Sequence, residues 1–300
     1  IAFTAAQVNK FLGTEIPEAD MVHILETLQF GIEKDGDTLT AVVPSYRGDC
    51  TEMPDIAEEV ARVYGYENIP STRPAAPISK GEAGFHHDVG EKISSILSSS
   101  GLNETVTFSF MHPDQLKKLL FKDGDAVYNA VPILNPITED FPLMRTTLVP
   151  TLMDVLVRNQ AVKNPSVGIY EIAPVYRPKQ LPLTELPEQE FYVSGLLYGQ
   201  RTPAEWPAKA ENYDFYDVKG LVEAVLQGLG IQADLEVSDW APLHPGKAAR
   251  YVKDGKVLCD FGELHPKAID NYDVAGPVYV FEMHMDAILP LVNLLPDYHK

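Results

Sequence analysis

The sequence predicts an α+β protein in two parts: a small helix/hairpin module, then a larger domain with a mainly antiparallel sheet flanked by helices. Three observations lead there. In the second part, strand-like runs follow one another without regular strand–helix alternation, which favours an antiparallel sheet over a doubly wound parallel one. The stretch "ENIPSTRPAAPISKG" (67–81) is polar and holds Pro70, Pro74 and Pro77, so it reads as a linker dividing the chain into 1–76 and 77–300. Finally, 300 residues, 45% of them apolar, suffice for sizeable cores in more than one domain.

The elements follow in order. Thr4 is placed to cap a short helix through Phe11, and Pro17 suits the first turn of a second helix, about 17–28. "FGIEKDGDTLTAVVP" reads as a hairpin turning at Asp35-Gly36-Asp37. Thr51 is a plausible N-cap for an amphipathic helix carrying Ile56, Val60, Val63 and Tyr64, which Gly65 ends. The second part opens with a helix at about 85–100, stopped by Gly101. "ETVTFSFM" (104–111) then alternates like a half-buried strand, and "AVPILNP" and "GIYEIAPVYRP" read as further strands around a helix at about 148–162. "EFYVSGLLYG", "RYVKDGKVLCDFGELHP" and "PVYVFEMHM" add strands, with the helix "YDVKGLVEAVLQGLG" among them.

Charge and cysteine usage narrow the function classes. Lys and Arg total 24 against 43 Asp and Glu, a net charge of −19, which disfavours nonspecific binding to a phosphate backbone. Any service to nucleic acid is then expected through a partner or a segment not in this sequence. Cys50 and Cys259 build neither a disulfide framework nor a CxxC metal site, as expected in a reducing cytoplasm. No apolar run approaches membrane-spanning length. The sequence starts at Ile1 and carries no signal segment, so it reads as a piece of a longer polypeptide.

The densest chemistry lies in "SYRGDCTEMPDIAEEVARVYGY" (45–66), with five acids between Asp49 and Glu59. Asp55, Glu58 and Glu59 stand at i, i+3 and i+4 and share one sector of helix surface, while Asp49 approaches from the preceding loop. Three uses are open: complementing the helix dipole, with Glu58 pairing Arg62; holding a hard cation such as Mg²⁺; or facing a partner. With no His in the cluster and Cys50 alone, zinc is disfavoured.

"YRGDCTEMPDIAEEVARVYGYENIP" closely resembles the signature of the phenylalanyl-tRNA synthetase β chain. "ILNPITEDFPLMRTTLVPTLMDVLVRNQ", "YEIAPVY", "FYDVKGLVEAVL", "HPGKAA" and "GELHP" resemble that family's segments in the same order, so the resemblance covers essentially the whole chain. "WPAKAENYDFYDVKG" and the hairpin resemble its bacterial form. The resemblance implies a class II synthetase-like fold for 77–300 and an Mg²⁺ site at Asp49, Asp55, Glu58 and Glu59, shared with the α chain. It implies an α2β2 assembly whose α chain uses ATP to charge tRNA with phenylalanine. By the same resemblance, the family's editing, N-terminal tRNA-binding-like and C-terminal anticodon-binding domains are expected to lie outside this piece. tRNA would be met through the assembled complex.

No catalytic or nucleotide-binding residue is expected in 77–300 itself. Catalytic class II members grip phosphate with an Arg on one strand-loop-strand element and with a Gly-rich, Arg-ending segment. Here "YEIAPVYRPKQ" offers Arg177 followed by Pro178, and "VYVFEMHMDAIL" has neither Gly nor Arg. There is no Walker-type motif. His244 and His265 each precede Pro and read as turns rather than ligands. Arg145 reads as an anion site or as a buried ion pair at a strand-to-helix turn. Asp217 and Lys219 read as a capping acid and a solvated base, and Ser98, Ser99 and Ser100 as a polar helix end without a base to activate them. Phe85, Val89, Ile93, Ile96 and Leu97 form an apolar stripe. The helix at 85–100 and the strand at 104–111 are expected at the subunit interface, through the helix's small-residue side near Ser95. Two other classes stay open: a stand-alone acidic protein-binding module, and a metal-dependent hydrolase built on the four carboxylates.

Overall fold

The computed structural model describes residues 1–73, 75–76, 81–136, 138–202, 206 and 209–294. The chain forms two compact units, Ile1–Gly81 and Glu82–Lys300. Pro74 and Pro77 of the expected linker lie outside the described residues.

In the first unit, β1 (Ala2–Phe3) leads into α1 (Ala5–Leu12) and α2 (Glu18–Thr27). Thr4 caps α1 in a reciprocal box with Gln7. Pro17 is the N-cap residue of α2 and lies just before its first turn, not inside it. The hairpin β2 (Gly31–Asp35) and β3 (Thr38–Val42) pairs Asp35 with Thr38, and Gly36 supplies a positive φ of 60° in the two-residue loop. β1 adds to β3, giving the order β1-β3-β2. Leu39 and Ala41 point inward from β3. They meet Ile56, Ala57 and Val60 of α3 (Met53–Tyr64), together with Val8, Met21 and Leu25. Gly65 ends α3, its N–H bonded to the Ala61 carbonyl.

The second unit contains α4 (Phe85–Ser99), β4 (Asn103–Glu104), β5 (Phe110–Met111), α5 (Pro113–Lys118), β6 (Leu143–Met144) and α6 (Val149–Ala161). They are followed by β7 (Ser166–Arg177), β8 (Glu188–Thr202), β9 (Glu211–Asn212), α7 (Phe215–Gly228) and β10 (Asp234–Val237). Last come β11 (Leu243–Lys253), β12 (Lys256–Leu264), α8 (Pro266–Asn271), β13 (Val278–His284) and α9 (Met285–Ile288). The main sheet runs β10-β11-β12-β13-β8-β7-β4, with β9 paired to β8. All its pairings are antiparallel except β4 with β7. The predicted α+β class with a mainly antiparallel sheet is therefore observed.

Both faces of the sheet are covered. Val89, Ile93 and Leu97 of α4 and Val218, Val222 and Val225 of α7 pack on Tyr170, Leu197, Phe261 and Phe281. On the opposite face, Val149, Leu152 and Leu156 of α6 and Ile269 of α8 pack on Ile169, Leu196, Val278 and Val280. Burial on both sides explains why β13 opens on the unbroken run Val278–Phe281, with Glu282 buried after it, and does not alternate between buried and exposed residues. It also places most of the stripe on α4: Val89, Ile93 and Leu97 face this domain's own sheet with Ile96 packed against the same core, while Phe85, at the start of the helix, and Ser95 are exposed.

Two expected strands are corrected. The stretch 104–111 is not one strand: β4 and β5 are separated by residues in which the Thr107 N–H and hydroxyl both bond to the Glu171 carboxylate. That side-chain claim draws the backbone off the ladder and leaves Val106 and Phe108 exposed. "AVPILNP" makes only an isolated bridge, Pro132 to Leu143, because its prolines cannot donate to a ladder.

Candidate functional site

The acidic stretch starts at the loop entering α3. Glu52, not Thr51, is the N-cap residue of that helix. Asp55 at the third helical position accepts from the backbone N–H of Thr51 (2.7 Å) and of Glu52 (2.8 Å), so the acid within the first turn does the capping. Those N–H groups, Thr51 first, hold the Asp55 carboxyl below its ordinary range.

Arg47 organises the rest. Its Nη2 donates to Asp49 Oδ2 at 2.7 Å, its Nε donates to Asp49 Oδ1 at 3.0 Å, and its Nη1 donates to Glu59 Oε2 at 2.8 Å. Arg62 Nη2 donates to the same Glu59 oxygen at 2.6 Å. Glu59 is buried, at 4% exposure, and two guanidiniums answer its charge. Arg47, and then Arg62, brings the Glu59 carboxyl down to about 2, and Arg47 brings Asp49 down to about 2. Arg62 thus pairs with Glu59, at i+3, and not with Glu58 as the spacing allowed. Glu58 is exposed.

The donor chemistry of Asp49, Asp55, Glu58 and Glu59 suits Mg²⁺, since all four offer hard carboxylate oxygens. The arrangement within this chain does not suit it. Asp49 and Glu59 are engaged by arginines and Asp55 by the helix end. Among the described residues, no three His, Cys, Asp or Glu side chains converge as a metal site.

In the larger unit, the residues singled out from sequence have structural partners. Arg145, 1% exposed, pairs with Glu171 at 2.9 Å, also donates to Thr107 Oγ1 and to the Pro174 carbonyl, and lies just before α6. It is the buried ion pair of the two readings. Arg177 donates to Glu190, to the Tyr192 hydroxyl (2.9 Å) and to the Thr146 carbonyl. His244 Nδ1 accepts from Gly246 N, and His265 Nδ1 accepts from Lys267 N, capping α8. His112 does the same for Asp114 N before α5, so the His-Pro pair marks this turn three times; sequence reading noted it at two. Asp214 is the N-cap of α7 with Asp217 completing the box, and Lys219 pairs with Glu223. Ser98 meets the buried Tyr170 hydroxyl at 2.8 Å, while Ser99 and Ser100 donate to the Ile96 carbonyl.

Across the α6 face of the sheet runs a row that sequence reading missed. Arg250, Asp260, Glu282, Ser194 and Glu171 stand directly opposite one another on β11, β12, β13, β8 and β7. The signal was a polar residue in the interior of each strand, and its alignment into one row is legible only once the register is known.

An antiparallel sheet covered by helices on both faces defines the class of the larger unit, an α+β domain, and solved structures of that architecture include a tRNA synthetase. Among solved structures, Desulfitobacterium hafniense PylSc, a pyrrolysyl tRNA synthetase, matches with a TM-score of 0.52 over 68% of this chain and 67% of that one. At 17% identity the likeness is one of fold alone. The particular family follows from the sequence comparisons. Residues 1–66 match the tRNA synthetase B5 domain, and residues 69–285 match the phenylalanyl tRNA synthetase beta chain CLM domain. Phenylalanine–tRNA ligase beta subunits of Clostridium tetani and Clostridium acetobutylicum are 33% and 34% identical over 293 residues, covering 97% of this chain and 35% of each of those proteins. That of Staphylococcus saprophyticus is 33% identical over 290 residues, covering 96% of this chain and 35% of that protein. The chain belongs to the phenylalanyl-tRNA synthetase β-chain family and spans about a third of the length of these relatives.

Proposed function

We propose that this chain is the part of a phenylalanine–tRNA ligase β subunit that scaffolds a catalytic α chain in ATP-dependent charging of tRNA with phenylalanine. One observation carries the scaffold reading: Arg177, the guanidinium nearest in sequence to a phosphate grip, is spent on Glu190, Tyr192 and Thr146. A side chain held this way is not free to stabilise a transferring group. The assembly in this proposal is an α2β2 heterotetramer in the cytoplasm that meets tRNA as a whole. Among the described residues, no helix is long and apolar enough to cross a membrane.

Magnesium enters the proposal as an ion shared between chains. Of the four carboxylates only Glu58 is without a partner among the described residues; Asp49 becomes available as Arg47 moves aside, and Glu59 as both Arg47 and Arg62 do. Neither a hydrolase nor a stand-alone binding module has an observation in its favour. Mixing the chain with the α subunit of a bacterial phenylalanine–tRNA ligase tests the reading. Co-elution in size-exclusion chromatography is expected, and separate elution at micromolar concentration contradicts it.

A further inference from the structure

Burial of a carboxylate is costly unless a base or several donors answer it. Among the described residues, the buried acids of this chain follow that rule with one departure. Glu59 has Arg47 and Arg62, Glu171 has Arg145, Asp260 has Arg250, and Glu263 has Lys247. Glu282, 4% exposed, has no basic group within ion-pair distance. Its oxygens accept from the Thr147 hydroxyl at 2.8 and 3.0 Å and from Leu148 N–H at 2.9 Å. Leu148 is the N-cap residue of α6 and offers no side-chain cap of its own. A strand residue 134 positions away therefore caps this helix.

The neighbour across the ladder makes the position more demanding. Asp260 stands directly opposite Glu282 on β12, and like charges so placed repel. Ser194, opposite on β8, donates to the Phe281 carbonyl and leaves Glu282 unassisted. The other ionisable groups near it are Arg177 on β7, Tyr192 on β8, Cys259 on β12 and His284 on its own strand, with Asp286 of α9 beyond. From the entry to α6, among the described residues, come the Thr147 hydroxyl and the N–H of the N-cap Leu148.

We propose that Glu282 is a proton-binding clamp: one carboxyl, buried without a base and facing Asp260, fastens the first turn of α6 to the sheet, and gaining or losing its proton changes the strength of that fastening. The ionised form accepts charge-assisted bonds from Thr147 and Leu148 but is buried beside a second negative charge. The protonated form removes the repulsion and weakens the cap. Burial accordingly pushes the carboxyl up from its ordinary value to about 7, against the donors of Leu148 and Thr147. Because the folded-state value lies above the unfolded one, the stabilisation is whole below about pH 4.5 and is lost as pH rises through about 7.

Carboxyl carbon NMR on the full chain across this range tests the proposal. One glutamate is expected to titrate near neutrality, and the Leu148 amide proton is expected to shift with the same midpoint. Glu282→Gln, which keeps an acceptor for Leu148, should abolish both and flatten the pH dependence of melting between about pH 5 and about pH 8. Asp260→Asn should keep the titration and move it to lower pH by removing the opposing charge. If every glutamate titrates in the ordinary carboxylate range, the proposal fails. It fails equally if the neutral titration survives in Glu282→Gln. The wild-type titration decides the matter even if a variant does not fold.

Discussion

Replacing Arg145 with methionine tests the polar tie between α6 and the sheet. The substitution keeps a long, unbranched side chain and removes the guanidinium. Glu171, 2% exposed, is then left with the Thr107 N–H (3.2 Å) and hydroxyl (2.7 Å) against a full negative charge. The Pro174 carbonyl loses its 3.0 Å donor. Breaking a buried pair from one side costs roughly 3–5 kcal/mol. For a domain of this size each kcal/mol moves the melting temperature by about 2–4 °C, so Arg145→Met should lower it by roughly 6–20 °C. Differential scanning calorimetry of the full chain reads this directly. The double variant Arg145→Met with Glu171→Leu should recover much of the loss, because no unpaired charge remains. A single-variant shift under about 2 °C, or a double variant as unstable as the sum of the singles, refutes the reasoning.

Glu59→Gln should make the first unit less stable at neutral pH and less sensitive to acid. With the Glu59 carboxyl lowered to about 2 from 4.5, its contribution is whole above about 4.5 and is lost as pH falls towards about 2, which acid titration of the far-ultraviolet signal follows. Mg²⁺ should bind the chain weakly in calorimetry, and Arg47→Ala should strengthen binding by releasing Asp49 and leaving Glu59 with Arg62 alone; tight stoichiometric binding by the unaltered chain contradicts this. Ser95→Arg, on the exposed side of α4, should weaken assembly with the α chain more than it lowers the chain's own melting temperature. An intact assembly beside a strongly destabilised chain counts against that interface.

Local chemistry was legible in the sequence wherever it is settled within a few residues. The Thr4 cap, the turn at Gly36 and the stop at Gly65 follow from side-chain donors and permissive backbone alone. Thr51 misled because the helix begins one residue later, at the N-cap Glu52, and Pro54, three residues after Thr51, has no N–H for a Thr51 cap to accept. The strand expected at 104–111 failed because Thr107 is held by Glu171, 64 positions away. The Glu282 cap on α6 lies further off still, 134 positions from Leu148, and leaves no local trace. The acidic face of α3 was visible as spacing. That Arg47, only two residues before Asp49, engages two of its four carboxylates was not, because a helix pattern carries no information about which way the entering loop folds back.

The central claim is that the larger unit keeps a synthetase-like fold without catalysing the reaction itself, its Arg177 guanidinium being tied to Glu190, Tyr192 and Thr146. Phenylalanine-dependent ATP–pyrophosphate exchange measures it most directly. The account predicts no exchange from the chain alone and exchange when the α chain is present. Exchange that tracks this chain through purification, with no α chain in the sample, would contradict it.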